Sequence, residues 1–154
     1  MNPQEDPVRD RLRALYRAID ATIAHHAPVC AASGRCCRFE EYGHTLFLSK
    51  PEADLLIDEA PAPSRALDRG ESCPWQNQRG LCTARDARPI GCRVYFCDPK
   101  FVDLSYEISE RAVRVLKSLC EETGIGWRYA PLHAHLQEAA DAGRIGDPAG
   151  PPGP

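Results

Sequence analysis

Several features are missing from this 154-residue sequence, and each absence excludes a class of protein. No apolar run reaches the length of a membrane-spanning helix. Segment 1–10 is polar and acidic and has no signal-peptide pattern, which predicts a cytoplasmic protein. A formal net charge of −3 provides no basic footprint, so we expect neither a nucleic acid nor a membrane as partner.

Motifs of the common enzyme classes are missing as well. The sequence has no nucleophile with an adjacent base, no glycine-rich phosphate loop and no paired-carboxylate motif. No internal repeat is present either. The sequence therefore assigns no catalytic residue.

Cysteine, in contrast, is abundant, and seven of the eight cysteines fall into two groups. Thiolates are strong ligands for zinc, iron and iron-sulfur clusters, and metal binding adds folding free energy that a small core lacks. A disulfide framework and buried free thiols are the alternatives, but a cytoplasmic protein favours metal ligation. The predicted metal ligands are Cys30, Cys36, Cys37, Cys73, Cys82, Cys92 and Cys97.

The spacing of the cysteines bears on the kind of metal. Within the two groups, gaps of 5, 8, 9 and 4 residues replace the Cys-x2-Cys knuckle that is common in zinc sites. Such gaps suit an iron-sulfur cluster at least as well, and zinc remains an alternative. The adjacent Cys36 and Cys37 favour two metals or one polynuclear cluster, or else one of them ligates and the other packs.

Composition predicts a small, mainly α-helical single domain with long irregular loops tied by metal and a short strand or two. Fourteen prolines and eleven glycines are concentrated in the middle and at the end. We expect one cysteine-cluster metal-binding domain over 1–145 and a disordered tail over 146–154. Within the domain, the motif core spans 30–99 and the flanking helices span 6–27 and 104–142.

Local patterns predict the elements on the N-terminal side. Asp6 and Pro7 begin a helix that ends near Ala27, with an apolar stripe at Val8, Leu12, Leu15, Tyr16, Ile19 and Ile23. A short strand is expected over 44–48. A capping box at Ser49 and Glu52 precedes a helix over 51–59, and residues 73–99 are predicted to be mostly loop.

Two further helices are predicted on the C-terminal side. One covers about 104–123, with Gly124 as a left-handed cap, and Cys120 lies on its apolar face as a core residue rather than a ligand. The other covers 131–142 and is closed by Gly143. His133 and His135 on that helix are expected at the surface.

Five arginines lie close to the cysteines in sequence, and two interpretations of them stay open. In the first interpretation, the arginines stabilise an anionic cluster and lower the pKa values of the thiols. In the second, they are ordinary exposed side chains. His44 is likewise a plain loop or strand residue, or it completes a site that lacks a thiolate. The arginines are Arg35, Arg38, Arg85, Arg88 and Arg93.

One family resemblance is visible. Cys30-Ala-Ala-Ser33-Gly-Arg-Cys36-Cys37 is followed by Cys73-Pro-Trp, Gly80-Leu-Cys82, Arg88-Pro89-Ile-Gly-Cys92-Arg93 and Phe96-Cys97. This pattern resembles the YkgJ-type cysteine-cluster family, a zinc- or iron-chelating domain, over residues 30–99. A similar domain in flagellin lysine methylases is tied to an iron-sulfur cluster.

The resemblance implies metal binding and leaves three functions open. The first is an iron-sulfur protein in a redox or enzyme-accessory role; the others are a zinc-stabilised binding module and an iron or zinc handling protein. Any protein partner stays unknown. The sequence departs from the family at Ser33, where the family has its second motif cysteine. We hypothesise that the metal position without a thiolate there binds water, His44 or a small substrate.

Overall fold

The computed structural model of the chain describes residues 6–26, 45–63, 67, 73–79, 81–95 and 99–146. Four of the seven predicted ligands lie outside these ranges, namely Cys30, Cys36, Cys37 and Cys97. Ser33, His44, Arg35 and Arg38 also lie outside them, as does all of the predicted tail except Gly146.

The described part of the chain is mainly helical, as predicted, with a small sheet of two antiparallel strands. None of its helices combines the length and the hydrophobicity required to cross a bilayer. Two short 3-10 turns cover Arg85–Ala87 and Pro99–Phe101. The elements in chain order are α1 (Pro7–His26), β1 (Phe47–Ser49), α2 (Lys50–Glu59), α3 (Ile90–Arg93), α4 (Val102–Thr123), β2 (Tyr129–Pro131) and α5 (Leu132–Asp141).

Three of the predicted helix ends are confirmed by their caps. Asp6 Oδ1 accepts the Arg9 N–H at 3.1 Å at the start of α1. A capping box begins α2. Gly124 has φ 73°, the left-handed conformation that ends α4 and that glycine adopts without a steric penalty. The start of α1, the start of α2 and the end of α4 therefore follow from local signals.

The sheet differs from the predicted strand. The predicted strand covers 44–48, and residue 44 lies outside the described ranges. Among the described residues, β1 covers Phe47–Ser49, and Thr45 and Leu46 precede it. It pairs with β2, which the sequence did not predict. Leu48 lies opposite Ala130, and the Lys50 N–H extends the ladder to the Arg128 carbonyl at 2.9 Å. Pro131, the expected first residue of the last helix, is instead the end of β2, and α5 begins at Leu132.

One hydrophobic core joins the elements. The buried residues of α1 are four of the six stripe positions, namely Leu12, Tyr16, Ile19 and Ile23. These residues belong to a single cluster that also includes Leu116 and Leu119 of α4. Arg13 of α1 and Glu59 of α2 form an ion pair at 2.6 Å on the outside of the α1–α2 contact. The short α3 packs against α1, α4 and β1, so it lies at the centre of the fold.

His135 corrects one prediction. It is buried on α5 and not at the surface, while His133 on the same helix is half-buried. The His135 Nε2 atom lies 2.8 Å from the Leu48 carbonyl oxygen, which makes Nε2 the protonated nitrogen that donates to β1. Burial lowers the pKa of the imidazole below its ordinary value of 6.5, so the neutral form is favoured.

Candidate metal centre

Two of the predicted ligands lie on one tight hairpin. The Gln76 N–H donates to the Cys73 carbonyl at 3.0 Å, which closes a turn over residues 73–76. Gln76 then pairs with Cys82 in an isolated antiparallel bridge. Cys73 and Cys82 are thus both main-chain neighbours of Gln76, although eight residues separate them in sequence.

The hairpin is fixed to the core by Trp75. Its side chain is fully buried, and the indole Nε1–H donates to the Pro61 carbonyl at 2.8 Å. The Trp75 carbonyl accepts both the N–H and the hydroxyl of Thr83, each at 2.8 Å. Cys73 is buried in the same core cluster, and the half-buried Cys82 packs against it. The hairpin therefore holds both cysteines by main-chain and indole hydrogen bonds.

The third ligand, Cys92, lies in α3. Pro89 occupies the N-cap, and its carbonyl accepts the Cys92 N–H at 3.1 Å. A methyl group at Gly91 would lie only 2.6 Å from Leu46 Cδ1, so a larger residue there would displace the Leu46 side chain. The absence of a side chain at Gly91 therefore allows α3 to pack closely against Leu46, and Cys92 itself is buried.

A buried carboxylate links α3 to α2. Glu52 is almost completely inaccessible, and its Oε1 accepts the Ile90 N–H at 2.8 Å. Its Oε2 accepts the N–H and the hydroxyl of Ser49, both at 2.8 Å. Desolvation raises the pKa of Glu52, and the hydrogen bonds together with the charge of Arg93 oppose that rise. One side chain thus caps two helices.

The Arg93 side chain connects α1 to the segment 86–88, which precedes α3. Its guanidinium donates to Asp20 Oδ2 at 2.7 Å, to the Arg88 carbonyl at 2.7 Å and to the Asp86 carbonyl. The side chain is only 3% exposed. The last arginine of the Arg-Pro-x-x-Cys-Arg motif is therefore neither a solvated side chain nor an uncommitted charge beside the thiols.

Tyr16 lies beneath this guanidinium. The Arg93 Cζ atom is 4.0 Å from the centroid of the Tyr16 ring. Burial raises the pKa of the phenol well above 10, and the charges of Glu52 and Cys92 add to the rise while Arg93 lowers it. The hydroxyl finds no hydrogen-bond partner among the residues that the structure describes. Tyr16 is therefore a buried, protonated phenol whose ring packs against the Arg93 guanidinium.

Cys73 and Cys92 belong to the hydrophobic core and Cys82 packs against it, but this core also includes most of the other buried apolar residues. No disulfide joins the four described cysteines to one another. Cys120 lies on the buried side of α4, where burial raises the pKa of its thiol, and its predicted core position is confirmed. Within the described ranges, no three Cys, His, Asp or Glu side chains are grouped so that they could hold a metal ion.

The donor chemistry of these three residues fits a thiophilic metal. Soft thiolates bind zinc and iron-sulfur clusters in preference to hard cations such as Mg²⁺ and Ca²⁺. The hairpin and α3 are fixed by hydrogen bonds from Trp75, Glu52 and Arg93 and by main-chain groups. In metal sites generally, hydrogen bonds from neighbouring groups hold the ligand side chains in position.

The sequence analysis names three residues that build this region but does not predict their tertiary contacts. Glu52 was recognised only as part of a capping box, and Tyr16 only as part of an apolar stripe. The signal that marks Arg93 is its place beside a predicted ligand in the motif, but the partner Asp20 is 73 residues away. No local pattern indicates a contact at such a distance.

Comparisons of the chain with models of known families, with curated proteins and with solved structures found no match. The resemblance to the cysteine-cluster family therefore depends on the motif residues alone.

Proposed function

We propose that this protein binds metal through its cysteine thiolates, and that the bound group is an iron-sulfur cluster in a redox or enzyme-accessory role. The observation that carries the proposal is that Cys73, Cys82 and Cys92 are buried or half-buried thiols on a hairpin and a turn that hydrogen bonds fix. Cys30, Cys36, Cys37 and Cys97 supply the remaining ligands in this proposal. A reducing compartment such as the cytoplasm keeps such thiols available.

One neighbouring side chain supports an ionised thiol at Cys92. The Arg93 guanidinium places a buried positive charge one residue from Cys92, and this charge favours a negatively charged sulfur nearby. A bound iron-sulfur cluster would supply one-electron redox chemistry.

The test is metal and acid-labile sulfide analysis, with a visible spectrum, on full-length protein purified without oxygen. Iron together with sulfide is the expected result. Zinc without sulfide would instead indicate a zinc-stabilised binding module or a metal-handling protein, and rapid transfer of that zinc to a chelator would distinguish the second of these. Protein that folds without any metal would contradict the proposal.

Matched cysteine variants locate the ligands. Cys92→Ser and Cys97→Ser should lose metal and cooperative unfolding, because the binding free energy of a structural metal is largely folding free energy. Cys120→Ala is the control, since its thiol packs in the core and should affect stability without affecting metal content. Full metal retention in both serine variants would refute the ligand assignment.

A further inference from the structure

A cavity of about 540 Å³ lies between α1, the end of α2 and the 3-10 turn Arg85–Ala87. This volume is in the range of small-molecule sites. Four arginines line the cavity, namely Arg13, Arg17, Arg85 and Arg93. Three carboxylates, Asp20, Glu59 and Asp86, line it as well, so the question is which of these charges are already paired.

Two of these arginines are already neutralised. Arg13 pairs with Glu59 at 2.6 Å, and Arg93 pairs with Asp20 at 2.7 Å. Arg17 and Arg85 make no side-chain hydrogen bond or ion pair with any residue in the described ranges, although both line the cavity. Within the part of the chain that the structure describes, two guanidinium groups are therefore uncommitted.

The cavity lining also contains one negatively charged side chain that forms no ion pair with the described residues, Asp86. Its carboxylate lines the cavity and has no cationic partner among the described residues, because only its main-chain carbonyl bonds to Arg93. The uncommitted groups thus carry two positive charges against one negative charge. The cavity retains a net attraction for an anion, and Asp86 weakens that attraction.

Arg85 has an unusual backbone. Its φ is +49°, in the left-handed region that glycine or asparagine adopts more readily. The turn itself does not need an arginine side chain, because the Arg85 carbonyl accepts the N–H and the Nε–H of Arg88. A long cationic side chain at a strained position beside a cavity suggests a role in binding.

We propose that this cavity binds a small oxyanion, a carboxylate or a phosphate group, held by the guanidinium groups of Arg17 and Arg85. Guanidinium groups match the two oxygens of such an anion with paired hydrogen bonds. The buried Arg93 holds the turn that carries Arg85 against α1, which carries Arg17. The proposal concerns this cavity alone and does not depend on the metal.

The test is calorimetric titration of the full-length protein with inorganic phosphate and, separately, with succinate at low ionic strength. Saturable binding that weakens with added salt is expected. Binding of only phosphate or only succinate would identify the preferred oxyanion, and binding of both would indicate general recognition. Absence of saturable binding of either would overturn the proposal.

Variants assign the binding to the two arginines. Arg17→Gln and Arg85→Gly should each weaken binding about tenfold or more, since each removes charged hydrogen bonds to the anion. Arg85→Gly should leave the thermal midpoint unchanged or raise it, because glycine relieves the left-handed backbone. Loss of binding without loss of stability separates a ligand contact from a structural role.

Two further variants complete the design. Arg11→Gln is the matched control, because Arg11 also lies on α1 but pairs with Glu122 at 2.8 Å on α4, and its affinity should equal wild type. Asp86→Asn should strengthen phosphate binding about threefold by removing the nearby negative charge. An equal loss of binding in Arg11→Gln and Arg17→Gln would refute the site. Metal content, measured in parallel, reports on the proposed function separately.

Discussion

Replacing Arg93 with methionine tests the packing argument most directly. Methionine replaces the aliphatic part of the arginine side chain, Cβ to Cδ, with an unbranched apolar chain and removes every guanidinium contact. The Asp86 and Arg88 carbonyls then lose their donors, and each loss in this partly buried turn costs about 1 to 2 kcal/mol. Loss of the contact with the Tyr16 ring adds about 1 kcal/mol.

The ion pair between Arg93 and Asp20 contributes less to the free energy of unfolding than these contacts do. The Asp20 side chain is 51% exposed, so solvent screens its attraction to Arg93 and rehydrates the carboxylate in the variant. The sum is a loss of about 3 to 5 kcal/mol in the free energy of unfolding, as is typical when one partner of a buried charged network is removed. This is a large part of the roughly 5 to 15 kcal/mol that stabilises a domain.

Urea unfolding of the purified full-length protein measures this loss, with metal content determined on the same samples. At an m-value of about 2 kcal/mol per molar, the midpoint should fall by about 2 M. Arg11→Met is the control: that side chain is 54% exposed and pairs only with the exposed Glu122, so its loss should be below about 1 kcal/mol.

A lysine variant separates charge from geometry. Arg93→Lys keeps a positive charge beside Cys92, but one ammonium group does not reproduce the guanidinium fork that reaches three acceptors. We expect it to lose stability while keeping metal. A loss below about 1 kcal/mol in Arg93→Met, or wild-type stability in Arg93→Lys, would refute the reasoning.

Three further results are expected. Glu52→Gln should lower the free energy of unfolding by about 2 kcal/mol in a urea titration. The amide has only one acceptor oxygen, so its NH2 group would face the N–H donor of either Ile90 or Ser49 without forming a hydrogen bond. An unchanged midpoint would contradict the double cap. Because burial lowers the pKa of His135 in the folded state, the unfolded state binds more protons below about pH 6.5. The free energy of unfolding should therefore fall as the pH is lowered from 7.5 to 5.5, by at most about 1.4 kcal/mol per pH unit. His135→Gln should reduce this slope, and an identical slope in the variant would exclude the histidine as its source. Cys120→Ala should cost about 1 to 2 kcal/mol in thermal or urea unfolding, and an increase in stability would contradict its core position.

Much of the helical structure was predictable because its signals are local. An N-cap, an apolar stripe and a C-terminal glycine act within one or two helical turns, and they located α1, α2, α4 and α5 to within a few residues. The short α3 was missed, since four residues among prolines and glycines carry no periodic pattern. The two-strand sheet was only half anticipated, because a three-residue strand depends on its partner.

For the candidate site, the sequence identified the residue types and not their surroundings. It separated Cys120 from the predicted ligands, because the helical spacing of α4 placed that thiol on an apolar face. It did not show that Cys73 and Cys82 share a hairpin neighbour, or that Arg93 is buried. Both facts arise from contacts between segments that fold around Trp75 and Tyr16.

The sequence by itself determined a mainly helical chain, the positions of its long helices and a supply of thiolates that suits a soft metal. The tertiary structure alone decided that Glu52 caps two helices, that Arg93 joins α3 to α1, and that Arg17 and Arg85 face one cavity. The reason is physical: caps and apolar stripes are short-range interactions. Burial, pKa shifts and ion pairs depend on residues that meet only when distant segments pack together.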